Sequence, residues 1–294
     1  MKKLIKFALL IVLTLSLFIS GCAGEDKKPE EGNNVAKKDE TITFGVTPWT
    51  STVPPTQVAR LIIEDMGYNV ELEEADVGIV YTGLAEGAID VFMDAWLPVM
   101  HKNYIDKYGD KIDDTSVSYP NGELGWVIPT YVEDIRSIED LKGNEDKFGN
   151  KIYGIGEGAG MTTTSREMIE DYGLDLEYAP SSETGMLGQA QKDIDDGNPV
   201  LFLGWRPHPM FVNFDLKVLE DPKGYFKTSE VHVLTYKDFK NKAPDVYKFL
   251  QKWSIPVGDI EKMIIKIDEG NDPAEVAQEW IDNNQDKVNK MLEK

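Results

Sequence analysis

Trp96 and Trp205 occupy matching places in this chain. Each closes a short apolar run, Val91-Phe92-Met93-Asp94-Ala95-Trp96-Leu97-Pro98 and Val200-Leu201-Phe202-Leu203-Gly204-Trp205-Arg206-Pro207, and each stands two residues before a proline. The runs read as buried strands, which the proline ends by withholding a ladder donor. An indole at a strand's exit is placed to line a cleft, because ligands of open α/β sheets bind just beyond the strand ends. Trp49 follows the strand-like Thr43-Phe44-Gly45-Val46 in the same manner. Three such indoles suggest one chemistry: a cage whose negative ring faces attract a cation. The competing role of a large aromatic is core packing, and that is the expectation for Trp126, Trp253 and Trp280.

The elements that must hold these residues alternate in type. From Thr41 the order is strand (43–46), helix (56–66, apolar at Val58, Leu61, Ile62 and Met66), strand (69–73), helix (77–86) and strand (89–93). A second run repeats it with strand 152–156, helix 162–171, strand 176–179, helix 183–195 and strand 200–203. Each βαβαβ order implies a mostly parallel sheet. Two similar α/β lobes with a cleft between them are the expected architecture. Leu124–Pro129 and Glu230–Thr235 read as strands that leave and re-enter the first lobe, giving lobe 1 as residues 41–129 and 233–294 and lobe 2 as 130–232. Helices around 244–253, 257–269 and 272–283 return to lobe 1, the last opening on Asp272-Pro273-Ala274-Glu275, an N-cap followed by proline.

Two further features bear on ligand chemistry. Gly158-Ala159-Gly160-Met161 leads into a helix whose first turn holds Thr162, Thr163 and Thr164, and the free N–H groups there form an anion site. Gly160 lets the backbone approach closely, and the helix dipole favours negative charge. The same stretch also reads as an ordinary glycine-rich turn. It departs from a dinucleotide loop, with Ala159 where the third glycine belongs. His101, five residues after Trp96, is either a surface histidine or an N–H donor to the same anion from the opposite lobe.

No enzyme signature is present: the three histidines form no His-Glu-x-x-His helix, there is no Gly-x-Ser-x-Gly elbow, and the single cysteine lies near the start. No metal or cofactor is expected. With 52 acidic against 31 basic residues and a net charge of −21, the surface is unsuited to nucleic acid or an anionic bilayer.

The chain opens with Met1-Lys2-Lys3-Leu4-Ile5-Lys6 and an apolar stretch ending at Ile19-Ser20-Gly21-Cys22. A basic start, a short apolar segment and small residues before the cut mark a secretory signal, here residues 1–21. The last four residues resemble the bacterial lipobox, which implies cleavage before Cys22 and lipidation of its thiol, so that contact with the membrane is through the anchor alone. Residues 22–40 are polar and aperiodic and read as a flexible tether.

Taken together, Thr47-Pro48-Trp49-Thr50-Ser51, Asp94-Ala95-Trp96-Leu97-Pro98-Val99-Met100-His101, Gly156-Glu157-Gly158-Ala159-Gly160-Met161 and Gly204-Trp205-Arg206-Pro207-His208-Pro209-Met210-Phe211 resemble the substrate-binding lipoproteins of glycine betaine ABC importers. The resemblance covers nearly all of residues 41–284. It implies a two-lobed fold of the periplasmic-binding-protein type (type II), outside the cytoplasm, that closes on its ligand and hands it to a membrane permease. By position it puts Trp49, Trp96 and Trp205 around a trimethylammonium group, and the ligand carboxylate on His101 and the amides of Gly160 and Met161. Arg206 and Pro209 depart from the pattern. Proline betaine, choline, carnitine and other quaternary ammonium compounds are the alternative ligands. A choline site would leave His101 and Gly160 idle, and a secreted enzyme acting on a small metabolite would need a nucleophile with a neighbouring base.

Overall fold

Apolar and β-branched runs place the strands, and their direction places the site. In a computed structural model that describes residues 38–293, Thr41–Val46 (β1) pairs in parallel with both Asn69–Glu74 (β2) and Val91–Leu97 (β3). Helices Val53–Asp65 (α1) and Val77–Glu86 (α2) connect them. Pro54 and Pro55 sit in the first turn of α1, where N–H groups lack helical partners in any case. α2 stops at Gly87, whose φ of 73° is a left-handed conformation that costs glycine little.

A short helix, Lys102–Tyr108 (α3), leads into Ile112–Pro129 (β4), a strand of 18 residues. The second run follows as Lys151–Gly154 (β5), Gly160–Tyr172 (α4), Glu177–Pro180 (β6), Glu183–Asp195 (α5) and Phe202–Arg206 (β7), then Leu216–Val218 (β8) and Ser229–Tyr236 (β9). The sheet order is β2-β1-β3-β9-β4-β7-β5-β6, with β8 beside β4.

Parallel pairing holds within each run, where β5 pairs in parallel with β6 and β7, but not at the centre. There β9 is antiparallel to β3 and β4, and β4 antiparallel to β7 and β8. The cause is β4 itself. Its residues from Ile112 to Gly122 pair with β9, and from Glu123 onward it pairs with β7, so one strand threads both halves. As a result β3 and β7 run toward each other and their carboxyl ends meet along β4. Leu124 lies opposite Trp205, while Val231 lies between Trp96 and Tyr119.

The core fills both faces with large side chains, Trp126, Tyr81, Tyr119, Phe44, Phe92 and Phe202 among those fully buried. C-terminal helices at Pro244–Gln251, Val257–Asp268 and Pro273–Asn283 agree with the expected segments, and the side chain of Asp272 caps the third by accepting from the N–H groups of Ala274 and Glu275 at 2.9 and 3.0 Å. A further helix, Gln285–Met291, was not anticipated. It has no side-chain cap to announce it and is held by burial of Val288 and Met291. No helix among the described residues is long and apolar enough to cross a membrane. The signal segment and Cys22 lie outside the described residues.

Candidate functional site

Trp96 and Trp205 are the penultimate residues of β3 and β7, so the head-on meeting of these strands brings the indoles together. Trp49 enters from the turn after β1, just ahead of a 3₁₀ turn at Thr50–Thr52. The three rings border one cavity. His101, Gly160 and Met161 border the same cavity, and none of the residues lining it is Asp, Glu, Lys or Arg. All six residues singled out from the sequence are therefore neighbours. Trp96 and Trp205 are 5 % and 4 % exposed, while Trp49 is half-buried.

Behind Trp96 lies a carboxylate that sequence reasoning missed. Asp94 shares a strand face with Trp96, two residues away, and its Oδ1 accepts from the indole Nε1–H at 3.1 Å. Its Oδ2 accepts from the hydroxyls of Ser51 and Thr52 at 2.8 and 2.9 Å. Burial pushes the Asp94 carboxyl up to about 6 against the opposing pull of these three donors, with the Glu183 charge adding slightly. An acid inside the apolar run Val91-Phe92-Met93 was the available signal, since a buried charge is kept only where donors meet it. Gly122 of β4 passes over the same indole, and a Cβ there would lie 2.5 Å from Trp96 Cζ3.

His101 caps the loop after β3. Its Nδ1 accepts from the Trp96 N–H at 3.2 Å, and its own backbone N–H donates to the Trp96 carbonyl at 3.0 Å. Rings of Trp49, Tyr81, Phe92 and Tyr104 surround it at centroid distances of 6.0, 5.5, 6.2 and 6.2 Å. This desolvation lowers its pKa to about 3, so the imidazole is neutral. With Nδ1 accepting, the proton sits on Nε2, a donor with no partner among the described residues.

Opposite stands the start of α4. Ala159 is its N-cap and offers no side-chain cap. The N–H groups of Gly160 and Met161 have no acceptor among the described residues, as the first amides of a helix require a partner from outside it. Thr162 anchors the loop, its hydroxyl 2.9 Å from the carbonyls of Ile155 and Gly156. Glycine at 160 has a steric reason beyond ligand approach: a Cβ there would lie 2.0 Å from the Met100 carbonyl oxygen, which comes from the other half of the sheet.

Arg206, the unexpected cation beside Trp205, does not border the cavity. Its Nε–H donates to Glu123 at 2.9 Å and its guanidinium lies 3.7 Å from the centroid of the Phe211 ring. Pro209 likewise lies away from the cavity and starts the helical turn Met210–Asn213. Trp126, Trp253 and Trp280 are core residues whose indoles donate to Ser165, Ser118 and Asp259 at 2.9, 2.9 and 3.3 Å.

Residues 40–283 match the family described as the substrate binding domain of ABC-type glycine betaine transport systems. A stretch of 152 residues is 37 % identical to the glycine betaine/carnitine transport binding protein GbuC of Listeria monocytogenes, covering 50 % of this chain and 51 % of that protein. The matched stretch thus spans about half the length of that curated relative. Among solved structures, the chain is similar to lactococcal OpuAC in its closed form with glycine betaine, at a TM-score of 0.82 and 31 % identity over 86 % of this chain and 100 % of that one. It is also similar to an ABC-transporter choline binding protein in complex with choline, at a TM-score of 0.80 and 28 % identity over 86 % and 92 % of the two chains. The architecture is accordingly the two-lobed fold of periplasmic binding proteins, with the cleft between the lobes. This chain belongs to the substrate-binding domains of ABC-type glycine betaine transport systems, which are transport proteins and not enzymes.

Proposed function

We propose that this chain captures glycine betaine, enclosing its trimethylammonium head between Trp49, Trp96 and Trp205 and its carboxylate between His101 Nε2–H and the amides of Gly160 and Met161. The observation that carries this reading is the make-up of the cavity: three uncharged indoles and three unpartnered N–H donors border one space with no charged side chain among its lining residues. A quaternary ammonium donates no hydrogen bond, so aromatic faces are its natural partners, each contributing up to about 2 kcal/mol when dry. Three faces supply up to roughly 6 kcal/mol once the closed site excludes water, and the donors supply the rest of the approximately 8 kcal/mol that micromolar affinity requires. Neutral imidazole suits the carboxylate end, because it donates without bringing a cation toward the ligand's own positive charge.

On this reading one lobe carries Trp49, Trp96 and His101, and the other carries Gly160, Met161 and Trp205. The loaded protein delivers its ligand to a membrane permease of the ABC type. The basic and apolar start and Ile19-Ser20-Gly21-Cys22 support export and a lipid anchor on Cys22 at the outer face of the cell membrane. Choline is the second reading, favoured by the likeness to the choline-bound protein. Thermal-shift measurements with glycine betaine, proline betaine, carnitine, choline and a sugar panel test the proposal. A ligand at about 100 times its Kd adds about 2.7 kcal/mol to stability, so the preferred ligand raises Tm most. A sugar that outperforms every ammonium compound overturns it.

A further inference from the structure

Away from the cavity, a partly buried carboxylate is held by donors from both halves of the sheet. Glu183, the first residue of α5, has a side chain only 9 % exposed. Its Oε2 accepts from the Thr50 N–H at 3.1 Å, and its Oε1 accepts from the Thr50 hydroxyl and from His208 Nε2–H at 3.1 Å. His208 is fixed in that tautomer because its Nδ1 accepts from the Met210 N–H at 3.0 Å.

The two ends of this group reach the cage. The His208 ring meets Trp205 edge-on, at 4.8 Å between centroids and 81° between planes. Thr50 follows Trp49 directly and opens the turn whose Ser51 and Thr52 hydroxyls hold Asp94, which holds Trp96. The contacts Trp205–His208–Glu183–Thr50 therefore run behind the cavity from one half of the sheet to the other and end at all three indoles. Among the described residues two other side-chain hydrogen bonds span the same divide, from the Tyr104 hydroxyl to the Gly158 carbonyl at 2.8 Å and from Asn213 to Asp268 at 3.0 Å, but both are exposed and exchange readily with water. Glu183 differs in being largely shielded from water and in joining three donors at once, which makes the loss of its hydrogen bonds harder to replace.

We propose that Glu183, seated on His208 and gripping Thr50, is the latch that keeps the two lobes closed over the ligand. It is a positioning residue. It touches no ligand atom, and it links the seating of the cation between Trp49 and Trp205 to closure of the cleft. The inference rests on the ligand reading above for its natural trigger, and on the hydrogen bonds alone for its existence.

Stopped-flow tryptophan fluorescence with glycine betaine, and with choline as a second probe, measures the association and dissociation rates. Glu183→Ala should raise the dissociation rate about tenfold or more and leave association within about twofold, because these hydrogen bonds are lost from the closed state only. Glu183→Gln, which keeps an acceptor for the Thr50 N–H, should recover part of that loss. Thr50→Val should show a smaller increase. The double variant Thr50→Val, Glu183→Ala should dissociate no faster than Glu183→Ala alone, since both act on one contact. Unfolding of the ligand-free variants serves as the folding control. Small-angle scattering of wild type and Glu183→Ala, with and without ligand, should show the variant more open on average. Should neither probe bind the wild type, the ligand reading fails by itself and scattering decides the latch. Unchanged dissociation and superimposable scattering in Glu183→Ala overturn the latch while leaving the ligand reading intact.

Discussion

Asp94 gives the site a pH signature of two opposite signs. Its carboxyl titrates near 6 in the folded chain against 3.8 for a free aspartate, chiefly because burial opposes the charge. A carboxyl whose pKa is raised by folding contributes stability that is fully present below 3.8 and is lost as the pH rises through about 6. At about 1.4 kcal/mol per unit, the shift corresponds to about 3 kcal/mol. Asp94→Asn preserves the shape and an acceptor for the Trp96 indole but does not titrate. Urea unfolding of both proteins at pH 4 and pH 7.5 should therefore show wild type losing about 2.5 kcal/mol relative to the variant across that interval. His101 drops out of the comparison because it titrates in both. Its lowered pKa, about 3, removes stability from each as the pH falls below 6.5. Ligand affinity should move the other way. A cation on the Trp96 face favours the ionised carboxylate behind the ring, and at pH 5 about nine-tenths of Asp94 is protonated. Calorimetry should then find wild-type affinity for glycine betaine about tenfold weaker at pH 5 than at pH 7.5, with little change in Asp94→Asn. A stability difference that stays flat from pH 4 to pH 7.5 refutes the assignment of a buried, destabilised carboxylate.

Other expectations are simpler to state. Trp205→Ala or Trp96→Ala should weaken binding by about 2 kcal/mol or more in calorimetry and leave a cooperative melt, since each opens one wall of the cage to water; native affinity in either contradicts the cage. Gly122→Ala drives a methyl group into the Trp96 ring, 2.5 Å from Cζ3, and should reduce affinity and shift tryptophan emission at unchanged secondary structure; an unperturbed emission spectrum contradicts the close fit. Cys22→Ser should move the protein from the membrane fraction to the medium on cell fractionation, and retention in the membrane contradicts the lipid anchor.

What could be read from the residues was whatever announces itself locally. Trp96 and Trp205 end apolar strands before a proline, and Gly160 and Met161 open a helix after a strand, so all four positions follow from strand and helix signals. His101 needed the family resemblance, since nothing in its neighbours shows that four aromatic rings will strip it of water. The groups that were missed act through contacts far apart in sequence: Asp94 on Ser51, and Glu183 on Thr50 and His208. The first half of β4 escaped as well, because Asp113, Asp114, Thr115, Ser116 and Ser118 give it no apolar alternation, and its pairing with β9 comes from its place between the two halves rather than from its composition. The parallel pairing inferred from each βαβαβ run holds inside the runs, while the antiparallel centre is made by β4 and β9, whose direction those runs do not specify.

Isothermal titration of wild type and His101→Ala with glycine betaine and choline tests the central claim, that the cavity reads both ends of its ligand. Choline keeps the ammonium head and lacks the carboxylate, leaving the amides of Gly160 and Met161 without an acceptor at about 1–3 kcal/mol for each unsatisfied group. Wild type should therefore bind glycine betaine at least tenfold more tightly than choline, and His101→Ala should narrow that gap by weakening betaine alone. Equal affinities in wild type, or a gap untouched by His101→Ala, would contradict it.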